Sequence, residues 1–278
     1  VNHQLLFTDY SDNYLFLPIM ESTVLQEIKG QVVQLTLNRP EKFNSFNRVM
    51  SLQLQDELKK AANNSDIRAI LITGTGKAFC AGQDLSEAVD TNGPGIAAIV
   101  REHYNPIITL IRNIEKPIVC AVNGVAAGAG ANIALCCDIV LAAESAVFIQ
   151  AFSKIGLIPD SGGTFFLPRL IGFQRASALT MLGDKVSAAE AVSMGMIYKS
   201  VDDALLMETA MQISQTLANL PTKALGLTKK LLNQSLSNNL NTQLECELEE
   251  QVNAAKSYDH SEGIKAFLEK RKPVFKGQ

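Results

Sequence analysis

Residues Pro117–Asn132 read PIVCAVNGVAAGAGAN: an apolar run, an Asn-Gly turn, then a segment of little but alanine, valine and glycine. The run Pro117–Val122 has the length and composition of a short buried strand, and Asn123-Gly124 turns the chain out of it. The small-residue segment extends from Val125 to Cys137 and leads into Asp138–Ala142 (DIVLA), a further strand. Working outward, Arg68–Thr73 (RAILIT) is another buried strand, closed by the turn Gly74-Thr75-Gly76. Between Asn47 and Asn63, Val49, Leu52, Leu54, Leu58 and Ala62 give a helix with a core-facing side, and Gly95–Asn113 is a second helical stretch. Thr23–Ile28 and Gln31–Asn38 flank Lys29-Gly30 as a hairpin, ended by Asn38-Arg39-Pro40 because proline stops a ladder. Strands alternating with helices at this rhythm predict an α/β core with parallel pairing.

After Pro168 the strand signal almost vanishes. Phe173–Leu182, Ser187–Met194, Ala204–Leu220, Lys223–Asn239 and Leu240–Lys256 read as helices, punctuated by Gly183, Gly195 and Pro221. Residues 20–200 are therefore expected to form the core and residues 201–278 a C-terminal helical subdomain. Residues 1–19 hold no Lys or Arg and thus no secretory n-region, and their apolar run is too short to span a bilayer. Met20 followed by ESTVLQEI reads like a protein start, so residues 1–19 are expected to be a leader from an upstream start site.

Composition narrows the function classes. A formal net charge of −3 lacks the basic excess of a nucleic-acid binder, though a local cation cluster can still hold a phosphate-bearing small ligand. Cys80, Cys120, Cys136, Cys137 and Cys246 are odd in number and form no C-x-x-C pair, which points to a reducing, cytoplasmic compartment rather than a disulfide framework or zinc site. His3, His103 and His260 are too scattered to suggest a metal site, and His103 reads as solvated or packed in a mobile stretch. No metal site is expected from this spacing.

Glycine-rich segments invite a nucleotide reading, and each fails. A P-loop around Lys77 needs glycine six residues earlier and Ser or Thr after it; the chain has Leu71 and Ala78. G-x-G-x-x-G fails at Gly74/Gly76, where Phe79 takes the last place, and at Gly128/Gly130, where Ile133 does. No G-x-S-x-G elbow occurs.

Three other segments belong together: Lys77–Leu85 (KAFCAGQDL), Ala121–Asn132 (AVNGVAAGAGAN) and Ile155–Gly163 (IGLIPDSGG). In this order, with LNRPEKFNSFN before them and FLEKRKPVFKG at the end, they resemble the crotonase (enoyl-CoA hydratase/isomerase) superfamily from about Ser22 to Lys276. The resemblance implies a crotonase-like ββα spiral core, a coenzyme A thioester as substrate, and an enolate held by two backbone N–H groups, with no metal or redox cofactor needed. Those donors are the N–H of Gln83 and the N–H of Ala129; small residues around the second let a thioester approach the backbone, and a helix N-terminus favours the anion. On its own, Gly128-Ala129-Gly130 could equally serve tight helix packing. Asp84, just before an apparent helix, reads as an N-cap rather than a catalytic group.

In the resembling family, hydratases carry two glutamates that activate water. This chain has Asn132 and Phe152 at those places, and neither side chain can act as a general base or acid. It offers Asp160 instead, where similar isomerases shuttle a proton along the acyl chain. By propensity alone Asp160 caps the helix running toward Leu170; both roles can coexist. The combination GVAAGAGA and GLIPDSGGTFFLPRLIG is most similar to bacterial phenylacetate-degradation isomerases, which convert ring-1,2-epoxyphenylacetyl-CoA to oxepin-CoA. Leu157, Ile158, Phe152 and Phe165 are candidates for an apolar acyl pocket or for ordinary core. For the coenzyme A end the resemblance implies Lys42, Phe43, Ala81, Phe267 and Lys270, although Lys265, Lys270, Arg271 and Lys272 also suit a solvated helix face. It further implies a homotrimer or hexamer. The competing functions are hydratase or thioester hydrolase, with Glu87 or Glu144 as the carboxylate, and a non-catalytic acyl-CoA-binding module.

Overall fold

A computed structural model describes residues 22–278; the expected leader, residues 1–19, lies outside the described residues. In chain order the strands are β1 (Val24–Lys29), β2 (Val32–Leu37), β3 (Ala69–Gly74), β4 (Ala78–Cys80) and β5 (Ile118–Val122). They continue with β6 (Val125–Ala127), β7 (Ile139–Ala143), β8 (Val147–Ile149), β9 (Lys185–Ser187) and β10 (Lys199–Val201). Helices in the first half are α1 (Arg48–Asn63), α2 (Leu85–Ala88), α3 (Gly95–Ala98), α4 (Asn105–Asn113) and α5 (Ala129–Leu135). The second half adds α6 (Gly163–Ile171), α7 (Phe173–Leu182), α8 (Ala188–Ser193), α9 (Leu206–Ala218), α10 (Thr222–Ser235), α11 (Leu240–Ala255) and α12 (Tyr258–Leu268).

The strands sort into two sheets, of order β1-β2-β3-β5-β7-β10 and β4-β6-β8-β9. Each circuit of the chain lays one strand in the large sheet and the next in the small one: β3 then β4, β5 then β6, β7 then β8. Successive circuits pair in parallel in both sheets. This is the expected ββα spiral. β3 and β5 are buried along almost their whole length, which is why their sequences run apolar rather than alternating. β1, at the edge, buries only Val24 and leaves Glu27 and Lys29 in solvent.

Sequence cues and structure agree in detail at several helix ends. Asn47 caps α1 by accepting from the N–H of Met50 at 2.9 Å, and Ser187 with Glu190 forms a capping box at α8. Three features differ from the expectation. The small sheet consists of three-residue strands, too short to show a period. Two strands, β9 and β10, follow Pro168. The stretch Gly95–Asn113 is broken into α3, a π-helical stretch over Ile99–Tyr104, and α4, and it buries His103 rather than leaving it mobile.

Past residue 200, α9 lies across β3, β5 and β7 and so covers the large sheet; the helices from α10 onward pack mainly on each other. Asp138 ties them to the core: it accepts from the N–H of Ile118 at 2.9 Å and pairs with Arg112 at 3.0 Å and with Lys229 of α10 at 2.8 Å.

Candidate active site

A cavity of about 250 Å³ opens where the two spiral turns after β4 and β6 meet the loop before α6. The backbone of Gly82, Gln83, Gly128 and Ala129 lines it, as does Asp160. Its apolar lining comes from Leu85, Ile96, Ile99 and Val100 and from Phe152, Ile155 and Leu157.

The backbone explains why two N–H groups face this space. Phe46 and Gln83 form a parallel bridge in which the N–H of Phe46 donates to the Gly82 carbonyl at 2.7 Å and the Phe46 carbonyl accepts from Asp84 at 2.8 Å. The N–H of Gln83, between those two bonds, points to the opposite side, where the cavity lies. Ala129 is the first residue of α5, and a first-turn N–H has no partner within its helix. Neither N–H donates to another atom among the described residues. Gly82 holds them close: at φ +95° a side chain is disfavoured, and a Cβ there would sit 3.0 Å from the Ala127 carbonyl and 3.6 Å from the Ala129 nitrogen. The packing role of the glycines is real as well, since a Cβ on Gly130 would strike the Cys80 carbonyl at 2.4 Å.

Asp84 is the N-cap it was read as, accepting from the N–H of Ser86 at 3.1 Å, and it also pairs with Arg39 at 2.9 Å in a nearly buried contact. Asp160 is not a cap. The N-cap of α6 is Gly162, and Ser161 and Gly162, at φ 50° and 73°, turn the chain between the carboxylate and the helix. The side chain of Asp160 instead accepts from the Ser161 hydroxyl at 2.9 Å. Burial holds its carboxyl above the ordinary aspartate range, partly offset by that hydroxyl.

Asn132 and Phe152, where the resemblance puts a hydratase's carboxylates, hold an engaged amide and a buried ring packed toward Gly128. Glu87 and Glu144 do not line the cavity. Glu87 is spoken for by Gln83 and by the N–H of Arg48, each at 2.9 Å, and Glu144 sits exposed in the turn between β7 and β8.

Of the apolar candidates, Phe152 and Leu157 line the cavity, whereas Ile158 and Phe165 do not. Ile158 is 80% exposed, and Phe165 lies on the outer side of α6 with the Arg169 guanidinium 3.8 Å above its ring. Among the coenzyme-end candidates, Ala81 lines the mouth and its N–H donates to the Phe43 carbonyl at 3.0 Å, placing Lys42 and Phe43 beside it. Phe267 and Lys270 line no part of this cavity; Phe267 borders a separate depression with Ile264 and Phe275. Tyr104, buried in the π-helical stretch, lines the cavity and was not singled out from the sequence. Nothing in local sequence marks it, because a π-helical turn has no simple period. Among the described residues no three His, Cys, Asp or Glu side chains converge as a metal cluster, and no helix is long and apolar enough to cross a membrane.

A family model described as Enoyl-CoA hydratase/isomerase matches residues 27–278. The chain belongs to that family. It is 48% identical to 1,2-epoxyphenylacetyl-CoA isomerase of Escherichia coli K12 over 262 residues, 93% of this chain and 100% of that protein. It is 36% identical to 2,3-dehydroadipyl-CoA hydratase of the same organism, over 92% of this chain and 100% of the other. A solved enoyl-CoA hydratase from Bacillus anthracis superposes with a TM-score of 0.86 at 34% identity, covering 92% of this chain and 100% of that one. The chain is thus an acyl-CoA hydratase/isomerase, and the spiral with its two-sheet alternation is the family's fold.

Proposed function

We propose that within this family the chain is an acyl-CoA isomerase, with Asp160 as the sole acid/base and the N–H groups of Gln83 and Ala129 as the oxyanion donors. The single observation carrying this reading is that Asp160, desolvated, is the one carboxylate lining the cavity among the described residues, with Tyr104 and Lys154 beside it. By the resemblance, Asn132 and Phe152 stand where a hydratase carries its two glutamates. In a 3-enoyl thioester, the Asp160 carboxylate takes a proton from the carbon beside the carbonyl. The electron pair moves onto the thioester oxygen, which the two N–H groups hold as a dienolate. The same proton returns to the far carbon, and the double bond ends conjugated with the carbonyl. A carboxylate made more basic by burial suits abstraction of a weakly acidic C–H.

Likeness to 1,2-epoxyphenylacetyl-CoA isomerase makes the ring epoxide of an arylacetyl thioester the second substrate class, rearranged without water. Coenzyme A enters as part of the substrate and leaves with the product, its end meeting Lys42, Phe43 and Ala81 at the mouth. Phe267 and Lys270 are assigned to that end from the resemblance alone. The exposed leucines Leu240, Leu244 and Leu248 along α11 suit subunit contacts of a homotrimer or hexamer.

The test offers the protein cis-3-enoyl-CoA and crotonyl-CoA in parallel. Conversion of the first to the conjugated 2-enoyl thioester with negligible hydration of the second is the expected result. Hydration of crotonyl-CoA at a comparable rate overturns it.

A further inference from the structure

The hydratase position occupied by Asn132 is not an empty replacement. Its side chain is buried on α5 and both ends of its amide are engaged: Nδ2 donates to the Asp160 carbonyl at 2.9 Å, and Oδ1 accepts from Nε2 of Gln150 at 2.8 Å. The Asp160 carbonyl accepts a second bond, from the N–H of Gly163 at 2.8 Å, so the peptide after Asp160 is fixed from the helix on either side. Gly163 leaves the room for this: a Cβ there would lie 2.4 Å from the Asn132 Nδ2 and 2.9 Å from its Cγ.

The turn so anchored is a costly one. Ser161 is a non-glycine residue at φ 50°, buried, and immediately followed by Gly162 at φ 73°. Such backbone persists only where the surroundings over-determine it. That turn aims the Asp160 side chain into the cavity instead of over the end of α6, and Asn132 is the side chain that holds it.

We propose that Asn132 is a positioning residue for Asp160: its carboxamide, itself oriented by Gln150, clamps the Asp160 carbonyl and thereby sets where the proton-carrying oxygen sits. This rests on the isomerase reading above and names the device that makes the site one. A glutamate at 132 has no donor at neutral pH for the Asp160 carbonyl, so a hydratase-type carboxylate there would not make this bond. This chain instead has at that position an amide that donates to the Asp160 carbonyl.

The test uses Asn132→Ala, in a helix already built of small residues, and Asn132→Asp, which keeps the acceptor for Gln150 but loses the donor. For each we would measure kcat and KM on cis-3-enoyl-CoA, and the titration of the Asp160 carboxyl by 13C NMR, its signal assigned with Asp160→Asn. The other groups facing the cavity with it are Tyr104 and Lys154, unchanged in every variant. In both variants kcat is expected to fall about 10- to 100-fold, the cost of a reacting group misplaced by about an ångström, with KM changed less than about threefold. In Asn132→Ala the Asp160 titration moves down toward the ordinary aspartate range as the loop loosens and water reaches it. Unchanged kcat together with an unchanged titration in Asn132→Ala overturns the proposal. Wild type that isomerises nothing, while the Asp160 titration still moves in Asn132→Ala, sinks the isomerase reading but supports the clamp.

Discussion

The hydroxyl of Tyr104 donates to the side-chain carbonyl of Gln83 at 2.8 Å. At its other end the Gln83 amide donates to Glu87 Oε2 at 2.9 Å, so the side chain is held at both ends and cannot swing across its own N–H. One residue thus carries a backbone N–H that faces the cavity and a side chain locked out of the way. Burial pushes the Tyr104 hydroxyl well above the usual tyrosine range, so it stays a donor throughout the working pH range.

Tyr104→Phe leaves the Gln83 carbonyl without its donor. The expected loss is about 0.5–1.5 kcal/mol in urea unfolding, the net worth of a typical intramolecular hydrogen bond, since the Gln83 side chain is only part-buried. It should be accompanied by a lower kcat as the Gln83 side chain becomes free to cover the oxyanion site. An unchanged unfolding midpoint would show the bond to be idle.

Gly82→Ala tests the geometry of the oxyanion site rather than any side chain. The added methyl meets the Ala127 carbonyl and the backbone is at φ +95°, so a cost of about 1–3 kcal/mol is expected. Spreading the two N–H groups should lower kcat by about 10²–10³, the loss typical of a missing oxyanion donor. The infrared carbonyl stretch of a bound acyl-CoA, shifted down in wild type, should return toward its free value.

How much of this was legible in the sequence follows from physics at each place. β3, β5 and β7 are long enough, and buried enough, to show as RAILIT, PIVCAV and DIVLA. The N–H groups of Gln83 and Ala129 are named through the resemblance of KAFCAGQDL and AVNGVAAGAGAN, since Gly128-Ala129-Gly130 alone reads equally as tight helix packing. The strands of the small sheet could not be placed, since three residues such as Ala78–Cys80 carry no periodicity. By propensity alone Asp160 reads as a cap, because capping depends on where the helix begins. The left-handed pair Ser161-Gly162, which moves that start to Gly163, is a conformational fact that propensity does not reveal for serine. Asn132 was visible as a missing carboxylate, but the bond it makes to residue 160 exists only once the fold brings α5 against the loop.

Asp160 also carries a pH signature in stability. A carboxyl held above its unfolded value by burial stays protonated longer in the folded state, so the folded state loses stability as pH rises from the ordinary aspartate range, about 3.9, through the raised value. Asp160→Asn removes that penalty. The variant should melt at a higher temperature than wild type at neutral pH, and the difference should vanish below about pH 4. A lower melting temperature at pH 7 would mean that the carboxylate stabilises the fold.

The C-terminal segment depends on a carboxylate of opposite behaviour. The two-pronged bond from Arg271 to Glu262, at 2.6 and 2.9 Å, and the N–H of Val274 at 2.8 Å lower the Glu262 carboxyl to about 2. Its contribution is complete above the unfolded value of about 4.3 and is lost as pH falls toward the folded value. Glu262→Gln should therefore raise amide exchange across residues 271–278 at pH 7, and wild type should approach the variant as pH is lowered from about 4 toward 2. Equal exchange at pH 7 would show that Asp259, which accepts from Lys276 and Gly277, holds the segment alone.

The most direct measurement is the rate at which wild type and Asp160→Asn convert cis-3-enoyl-CoA to the conjugated 2-enoyl thioester at saturating substrate, with folding and acyl-CoA binding confirmed for both. One carboxylate moving one proton predicts an active wild type and a variant slowed by at least about 10³-fold, with binding retained. A variant that keeps full activity contradicts the account, because among the described residues no other carboxylate lines the cavity to replace Asp160.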